Sequence, residues 1–240
     1  MPLDPKRPPA GPPLVFVADL GAPALSETDA HHLARVLRVR VGATLSAADG
    51  RGGWCAAVYA GGLAVTPTGP IVHEPLPEPA ITIAFALTKG DKPELVVQKL
   101  TELGADRIVA FRAARSVVQW DDAKAARHVD RWRTVARESA MQCRRARLPL
   151  VEAVGTFADV VARGGVVLAA PGGAPPSLAW PVVLIGPEGG WSPEEERAVP
   201  ERVALGDHVL RAETAAITAC SVLGALRSRL AGDMSHPAGS

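Results

Sequence analysis

A chain of 240 residues, 48% hydrophobic and 21% charged, is long enough for one large globular domain or two modest ones. No apolar run approaches the roughly 20 residues of a membrane-spanning helix, and a net charge of +1 gives no global signature of nucleic-acid binding. Three cysteines, Cys55, Cys143 and Cys220, are too scattered for a disulfide framework or a metal pattern, which points to a reducing cytoplasm.

The amino-terminal stretch MPLDPKRPPAGPP has no apolar signal-peptide core and reads as a mobile, proline-rich arm. Residues 14–17 read as a short strand. Ser26-Glu27-Thr28-Asp29 reads as a helix cap, with Leu33, Val36 and Leu37 on the apolar side and His31, His32, Arg35 and Arg38 on the same helix. Short β-like runs follow at 43–47, 53–60 and 63–66, punctuated by turns at Asp49-Gly50 and Gly61-Gly62. Residues 1–72 therefore read as a small, mostly β domain with one helix. The prolines of HEPLPEP make residues 73–80 a stiff linker.

From residue 81 the rhythm changes. Residues 81–87 form a continuous apolar run. A helix entered at Pro93 carries Leu95, Val96, Leu100 and Leu103 at helical spacing and ends at Gly104. A strand at 107–111 precedes a long arginine-bearing helix, 121–142, with Val129, Trp132, Val135 and Ala136 inward. Strand, helix and strand recur at 148–154, 157–162 and 166–170. A strand at 182–185 runs into Gly186-Pro187-Glu188-Gly189-Gly190, and Ser192-Pro193-Glu194-Glu195 then has the form of a helix-capping box. A strand at 202–205 and a helix at 214–230, with Ile217, Cys220, Leu223 and Leu230 near one face, complete the second domain, 81–232. Short apolar strands alternating with helices argue a mostly parallel α/β sheet covered on both sides.

Three loops carry candidate chemistry. Gly186–Gly190 lies at the carboxyl end of a strand, where open α/β sheets bind ligands. Its glycines permit close backbone approach, but it lacks the Lys-Ser/Thr of a P-loop and the spacing of a dinucleotide site. The loop LGDHVLRAET, 205–214, also joins strand to helix. It puts Glu213 and Thr214 where a cap belongs, and its Arg211 is the only positive charge between Arg202 and Arg227. Thr88-Lys89-Gly90-Asp91-Lys92-Pro93 puts two lysines beside a helix start, an arrangement suited to phosphate. Arginines gather at 35–40, 112–115 and 127–147; they form either a basic face or solvated helix faces balanced by nearby acids.

These loops, with HHLARVLRV (31–39), TKGDKPELVVQKLTELGA (88–105), ARSVV (114–118), ESAMQCRRARLP (138–149), LIGPEGGWSPEE (184–195) and LGDHVLRAETAAITA (205–219), resemble the RsmE-type family of 16S ribosomal RNA uracil-N3 methyltransferases within the SPOUT superfamily. The resemblance spans nearly the whole chain. It departs from the family where Met141-Gln142 replaces the usual Glu-Gln and where Arg144 replaces a common glycine.

The resemblance implies a SPOUT-type α/β domain with a carboxyl-terminal trefoil knot, preceded by a PUA-like β-barrel that helps hold RNA. It also implies a cytoplasmic homodimer acting on 16S ribosomal RNA of the small subunit, with S-adenosyl-L-methionine as cofactor. The cofactor site carried over by position comprises Leu168, Ile185, Gly186, Pro187, Glu188, Gly189, Gly190, Leu205, Gly206, Val209, Leu210, Thr214 and Ala216, with no metal. Arg211 is the expected stabiliser of a uracil anion, with Glu213 as a second catalytic candidate. Arg35, Arg38, Lys89, Lys92 and Arg115 are the expected RNA contacts. A related enzyme methylating ribose 2′-OH, and an RNA-binding assembly factor without turnover, are the competing readings.

Overall fold

The computed structural model describes residues 6–88, 92–118 and 120–230. They fall into two compact units. One contains residues up to 76 together with 137–148, the other 77–136 together with 149 onward.

The first unit contains β1 (Leu14–Phe16), α1 (Glu27–His31), β2 (Thr44–Ala48), β3 (Gly53–Gly61), β4 (Ala64–Pro67) and β5 (Val72–His73). They form one sheet in the order β1-β2-β3-β4, with β5 also on β3. Only β1 and β2 pair in parallel. Alternation along β3 buries Cys55, Ala57 and Tyr59 in a cluster with Leu33, Leu45 and Val65. His73 lies within β5, so the extended segment to the next unit begins one residue later than the prolines suggested.

Ser26 caps α1: its hydroxyl accepts from the Asp29 amide at 3.1 Å. The helix then widens into a π turn over His32–Val36, closed by the Leu37 amide donating to the His32 carbonyl. The extra residue in that turn shifts the helical phase. Leu33 is buried, but Leu37, expected on the same face, is 50% exposed.

The last turns of α3 (Asp122–Cys143) and the segment after it supply Ala140, Met141, Ala146 and Leu148 to a cluster with Leu14, Phe16, Ala48 and Trp54. Arg137 grips Asp29 through two 2.7 Å bonds and lies 5.3 Å from the Phe16 ring. Arg144 adopts a left-handed φ of 60°, a cost of about 1–2 kcal/mol for an L-residue. Its guanidinium donates to the carbonyls of Pro9 and Pro12. The Trp54 indole donates to the Lys6 carbonyl at 2.8 Å. These bonds tie residues 6–12 to the sheet, against the expectation of a mobile arm; residues 1–5 lie outside the described residues.

The second unit contains β6 (Thr82–Ala86), α2 (Lys92–Glu102), β7 (Arg107–Arg112), most of α3, β8 (Leu150–Val151), β9 (Gly155–Thr156), α4 (Phe157–Val161), β10 (Val166–Ala174), β11 (Val182–Ile185), α5 (Pro193–Ala198), β12 (Arg202–Val203) and α6 (Ala212–Arg227). The sheet runs β12-β10-β11-β6-β7-β8, with β9 also on β7, and every pairing is parallel. Both faces are covered, as the apolar strands imply. Ile83 and Phe85 of β6 join the core formed with α2, α3 and α6, while Ala84 and Ala86 join the one formed with α4 and Trp191.

Four sequence expectations shift. Leu95 is 43% exposed on α2, and Leu230 is exposed beyond the end of α6. The cap position of α6 is Arg211, with no side-chain cap, so Glu213 and Thr214 lie inside the first turn. β10 continues to Ala174, past residue 170, because an irregularity lets it pair with Val203 a second time.

Candidate functional site

The distal half of β10 and the segments following β11 and β12 meet at one edge of the sheet. They enclose a cleft of about 530 Å³ lined by Ala169–Pro171, Ile185–Glu188, Gly190, Trp191 and residues 209–212 with Ala215. That size falls within the range of small-molecule sites. A recess of about 100 Å³ adjoins it, adding Leu205, Gly206 and His208 to walls it shares.

The floor is built by Trp191. Its indole donates to the Ala169 carbonyl at 3.1 Å and stacks on Phe111 with an interplanar angle of 3°. Gly186 is required above it, because a Cβ there would lie 2.9 Å from the Trp191 ring. The tight β11 turn therefore serves packing first, and exposes backbone to the cleft as a result. Glu195, 4% exposed, closes the α5 capping box: it accepts from the Ser192 amide at 2.8 Å, while the Glu195 amide donates to the Ser192 hydroxyl. Its other oxygen accepts from the Ala114 amide at 2.9 Å, reaching the turn that follows β7.

The charges divide sharply. Arg211 lines the cleft, is exposed, and its guanidinium has no hydrogen-bond or ion-pair partner among the described residues. The neighbouring carboxylates are claimed by Lys92, which lies 3.3 Å from Glu188 and 3.5 Å from Glu213. Glu213 Oε2 is buried and makes no hydrogen bond, so Lys92 at that longer ion-pair distance is the group answering its charge. At the outer edge, Glu196 and Arg202 pair at 3.2 Å.

The structure thus brings Ile185, Gly186, Pro187, Glu188, Gly190, Val209, Leu210 and Arg211 together, with Leu205 and Gly206 in the adjoining recess. Leu168 and Ala216 are fully buried in the two cores, and their neighbours Ala169 and Ala215 face the cleft instead. A strand and a helix each show alternate sides, so a one-residue offset moves a side chain from wall to core. Thr214 is exposed but is not among the lining residues, and Glu213 turns toward Lys92. Gly189 packs on Arg115, whose guanidinium donates to the Gly189 carbonyl at 3.2 Å.

Lys92, expected to contact phosphate, sits between two carboxylates. Lys89 lies outside the described residues. Arg35 and Arg38 are exposed in the first unit, and Arg38 has a φ of 52° at the end of the π turn. Sequence reasoning missed Trp191 and the inter-loop bond of Glu195. The signal for the first was a lone tryptophan directly after a glycine turn; nothing local signalled the second.

Residues 74–224 match the RNA methyltransferase domain family, and residues 25–62 match the RNA methyltransferase PUA domain. Ribosomal RNA small subunit methyltransferase E of Mycobacterium tuberculosis is 36% identical over 241 aligned residues, covering 88% of this chain and 89% of the relative. The Bacillus subtilis protein of the same description is 34% identical over 180, covering 64% and 68%. A Legionella pneumophila methyltransferase structure with bound SAM superposes with a TM-score of 0.76 at 26% identity, over 90% of this chain and 98% of that one.

Proposed function

This chain belongs to the RNA methyltransferase family that includes ribosomal RNA small subunit methyltransferase E, and from that premise we propose that it transfers a methyl group from S-adenosylmethionine to N3 of a uridine in 16S ribosomal RNA. The observation that carries the proposal is an Arg211 without a partner among the described residues, at the lip of a largely apolar cleft at one edge of a parallel sheet. We further propose a homodimer acting in the cytoplasm, and a trefoil knot through β10–β12. The knot is supported by β12 pairing with β10 rather than with its predecessor β11.

The residues present fit the cofactor. Ile185, Leu210 and Ala215 give an adenosine moiety apolar walls, and the backbone from Gly186 to Gly190 gives it polar groups at close approach. Bound there, S-adenosylmethionine supplies an electrophilic methyl group on a positively charged sulfur. The chain must then hold the acceptor in line with that group and lower the cost of removing the N3 proton.

Arg211 is suited to the second task. A guanidinium with no internal partner is free to donate to the developing uracil anion without first breaking a bond. Glu188 and Glu213 both lie within ion-pair distance of Lys92. Because the target base must leave its stack to reach the cleft, the exposed Arg115 is proposed to hold the flanking backbone, and Arg35 and Arg38 are proposed as RNA contacts of the first unit. Calorimetry with S-adenosylmethionine tests the reading: saturable binding, weakened by changes at Gly186 or Leu210, is expected. No binding at millimolar cofactor leaves only the non-catalytic RNA-binding alternative.

A further inference from the structure

The turn after β7 touches the segment from Gly189 to Glu195 at three points, two at Gly189 of the cleft loop and one at Glu195 of α5. The Ala114 amide donates to Glu195, the Arg115 guanidinium donates to the Gly189 carbonyl, and the Arg115 backbone crosses Gly189 so closely that a Cβ there would lie 3.2 Å from both the Cβ and the carbonyl oxygen of Arg115. The turn is closed on itself by the Ser116 amide donating to the Ala113 carbonyl at 3.0 Å and the Ala113 amide donating to the Ser116 hydroxyl at 3.2 Å.

Glu195 is the buried centre of this contact. One oxygen satisfies the cap of α5, and the other satisfies an amide from a segment 81 residues away. The capping box needs only the first of these bonds. The second holds the 113–116 turn against the cleft loop. Arg115 itself is exposed and uses a single side-chain N–H among the described residues, which leaves the rest of its planar donor set for a ligand.

We infer that Glu195 is a positioning residue that fixes Arg115 at the rim of the cleft to receive an RNA phosphate, coupling the RNA-holding turn to the cofactor loop. The inference rests on the RNA methyltransferase reading and adds the device by which one of its RNA contacts is held. A guanidinium presented from a fixed backbone loses little freedom on binding a phosphate, whereas one on a loose turn loses more.

The test measures binding of hypomethylated small ribosomal subunits as a function of salt, together with the KM for those subunits. Arg115→Ala is expected to lower the salt slope by about one and to raise KM, as loss of one phosphate contact does. Glu195→Gln keeps the shape but turns an amino group toward one of the two donors, so it is expected to lower the slope by a similar amount. The double variant is expected to be no worse than Arg115→Ala alone. Gly189→Ala, which pushes the turn away without touching Glu195, is expected to follow Glu195→Gln. Ser192→Ala weakens the α5 cap but leaves the Ala114 bond, and is expected to keep the wild-type slope.

A wild-type slope in Glu195→Gln or Arg115→Ala overturns the inference, as do fully additive losses in the double variant. So does a Ser192→Ala slope that falls as far as that of Glu195→Gln. Wild-type protein that binds subunits yet transfers no methyl group would refute the methyltransferase reading alone, and the slopes would still decide the role of Glu195.

Discussion

Arginine is used in opposite ways in two places, around the end of α3 in the first unit and at the cleft in the second. In the first, Arg137 is forked onto Asp29, Arg144 is anchored on the carbonyls of Pro9 and Pro12, and Arg147 donates to the Glu74 carbonyl at 3.1 Å from beneath Gly52. In the second, Arg211 has no partner among the described residues, and among them Arg115 uses one N–H. The first set resembles a basic stripe in the sequence, yet its donors are spent inside the protein, Arg137 on a carboxylate and the other two on carbonyls. A cation whose field is cancelled by a close carboxylate steers little; one left unpaired acts on whatever approaches. Pairing, more than arginine density, separates structural from functional cations here.

Removing one arginine from each set is the direct way to break that comparison. Arg211→Ala is expected to lower kcat by about 10²–10³-fold, the scale for losing one donor to a developing anion, with an unchanged melting temperature. Turnover near the wild-type rate would put Arg211 outside the mechanism.

Arg137→Ala is expected to do the converse. It should cost about 2–4 kcal/mol, somewhat less than a fully buried pair because the arginine is a third exposed, and leave the salt slope of RNA binding untouched. It also carries a pH signature. Burial pushes the Asp29 carboxyl up, but hydrogen bonds from Arg137 and Ser26 outweigh it and hold the group below its ordinary 3.8. A depressed folded-state value means stability that is present above the ordinary value and lost as pH falls through the folded one. Urea unfolding between about pH 5 and 2 should therefore show a steeper acid loss in wild type than in the variant. Parallel curves would contradict the pairing.

Gly186→Ala sharpens the claim that the cleft loop is shaped by packing. Its Cβ would meet the Trp191 ring, so a loss of about 1–3 kcal/mol is expected, together with weaker cofactor binding by calorimetry. The smallest effect on RNA binding is expected of Lys92→Ala. Its pair with the half-exposed Glu188 contributes under about 1 kcal/mol, but the mostly buried Glu213 loses the cation that answers it, so a stability loss of about 1–3 kcal/mol is expected. Since its charge is already answered, the salt slope should stay near wild type; a fall of one would restore Lys92 to the phosphate contacts.

Much of the α/β unit was legible because its signals are local. Apolar strands, the capping box at Ser192 and the glycine turn at 186–190 each depend on a few adjacent residues. The π turn after α1 was not legible, because nothing in HLARV distinguishes it from an α-helix of the same composition. Nor was the assignment of 137–148 to the first unit: Arg137 and Asp29 are 108 residues apart, and sequence spacing says nothing about such a pair. The loops named from the sequence do line one cleft, while Leu168 and Ala216 lie in the cores and their neighbours Ala169 and Ala215 line it, because side-chain direction decides between wall and core. The roles of Glu195 and Lys92 were hidden for the same reason as the Arg137 pair, since each is defined by a partner far away in the chain.

The most direct measurement incubates hypomethylated small ribosomal subunits with labelled S-adenosylmethionine and the wild-type chain or Arg211→Ala, then maps the product by reverse transcription and nucleoside mass analysis. The account predicts N3-methyluridine at one site in 16S ribosomal RNA, marked by a strong reverse-transcription stop, with wild type and a near-complete loss with the variant. Label on a ribose 2′-oxygen, or equal labelling by both proteins, would contradict it.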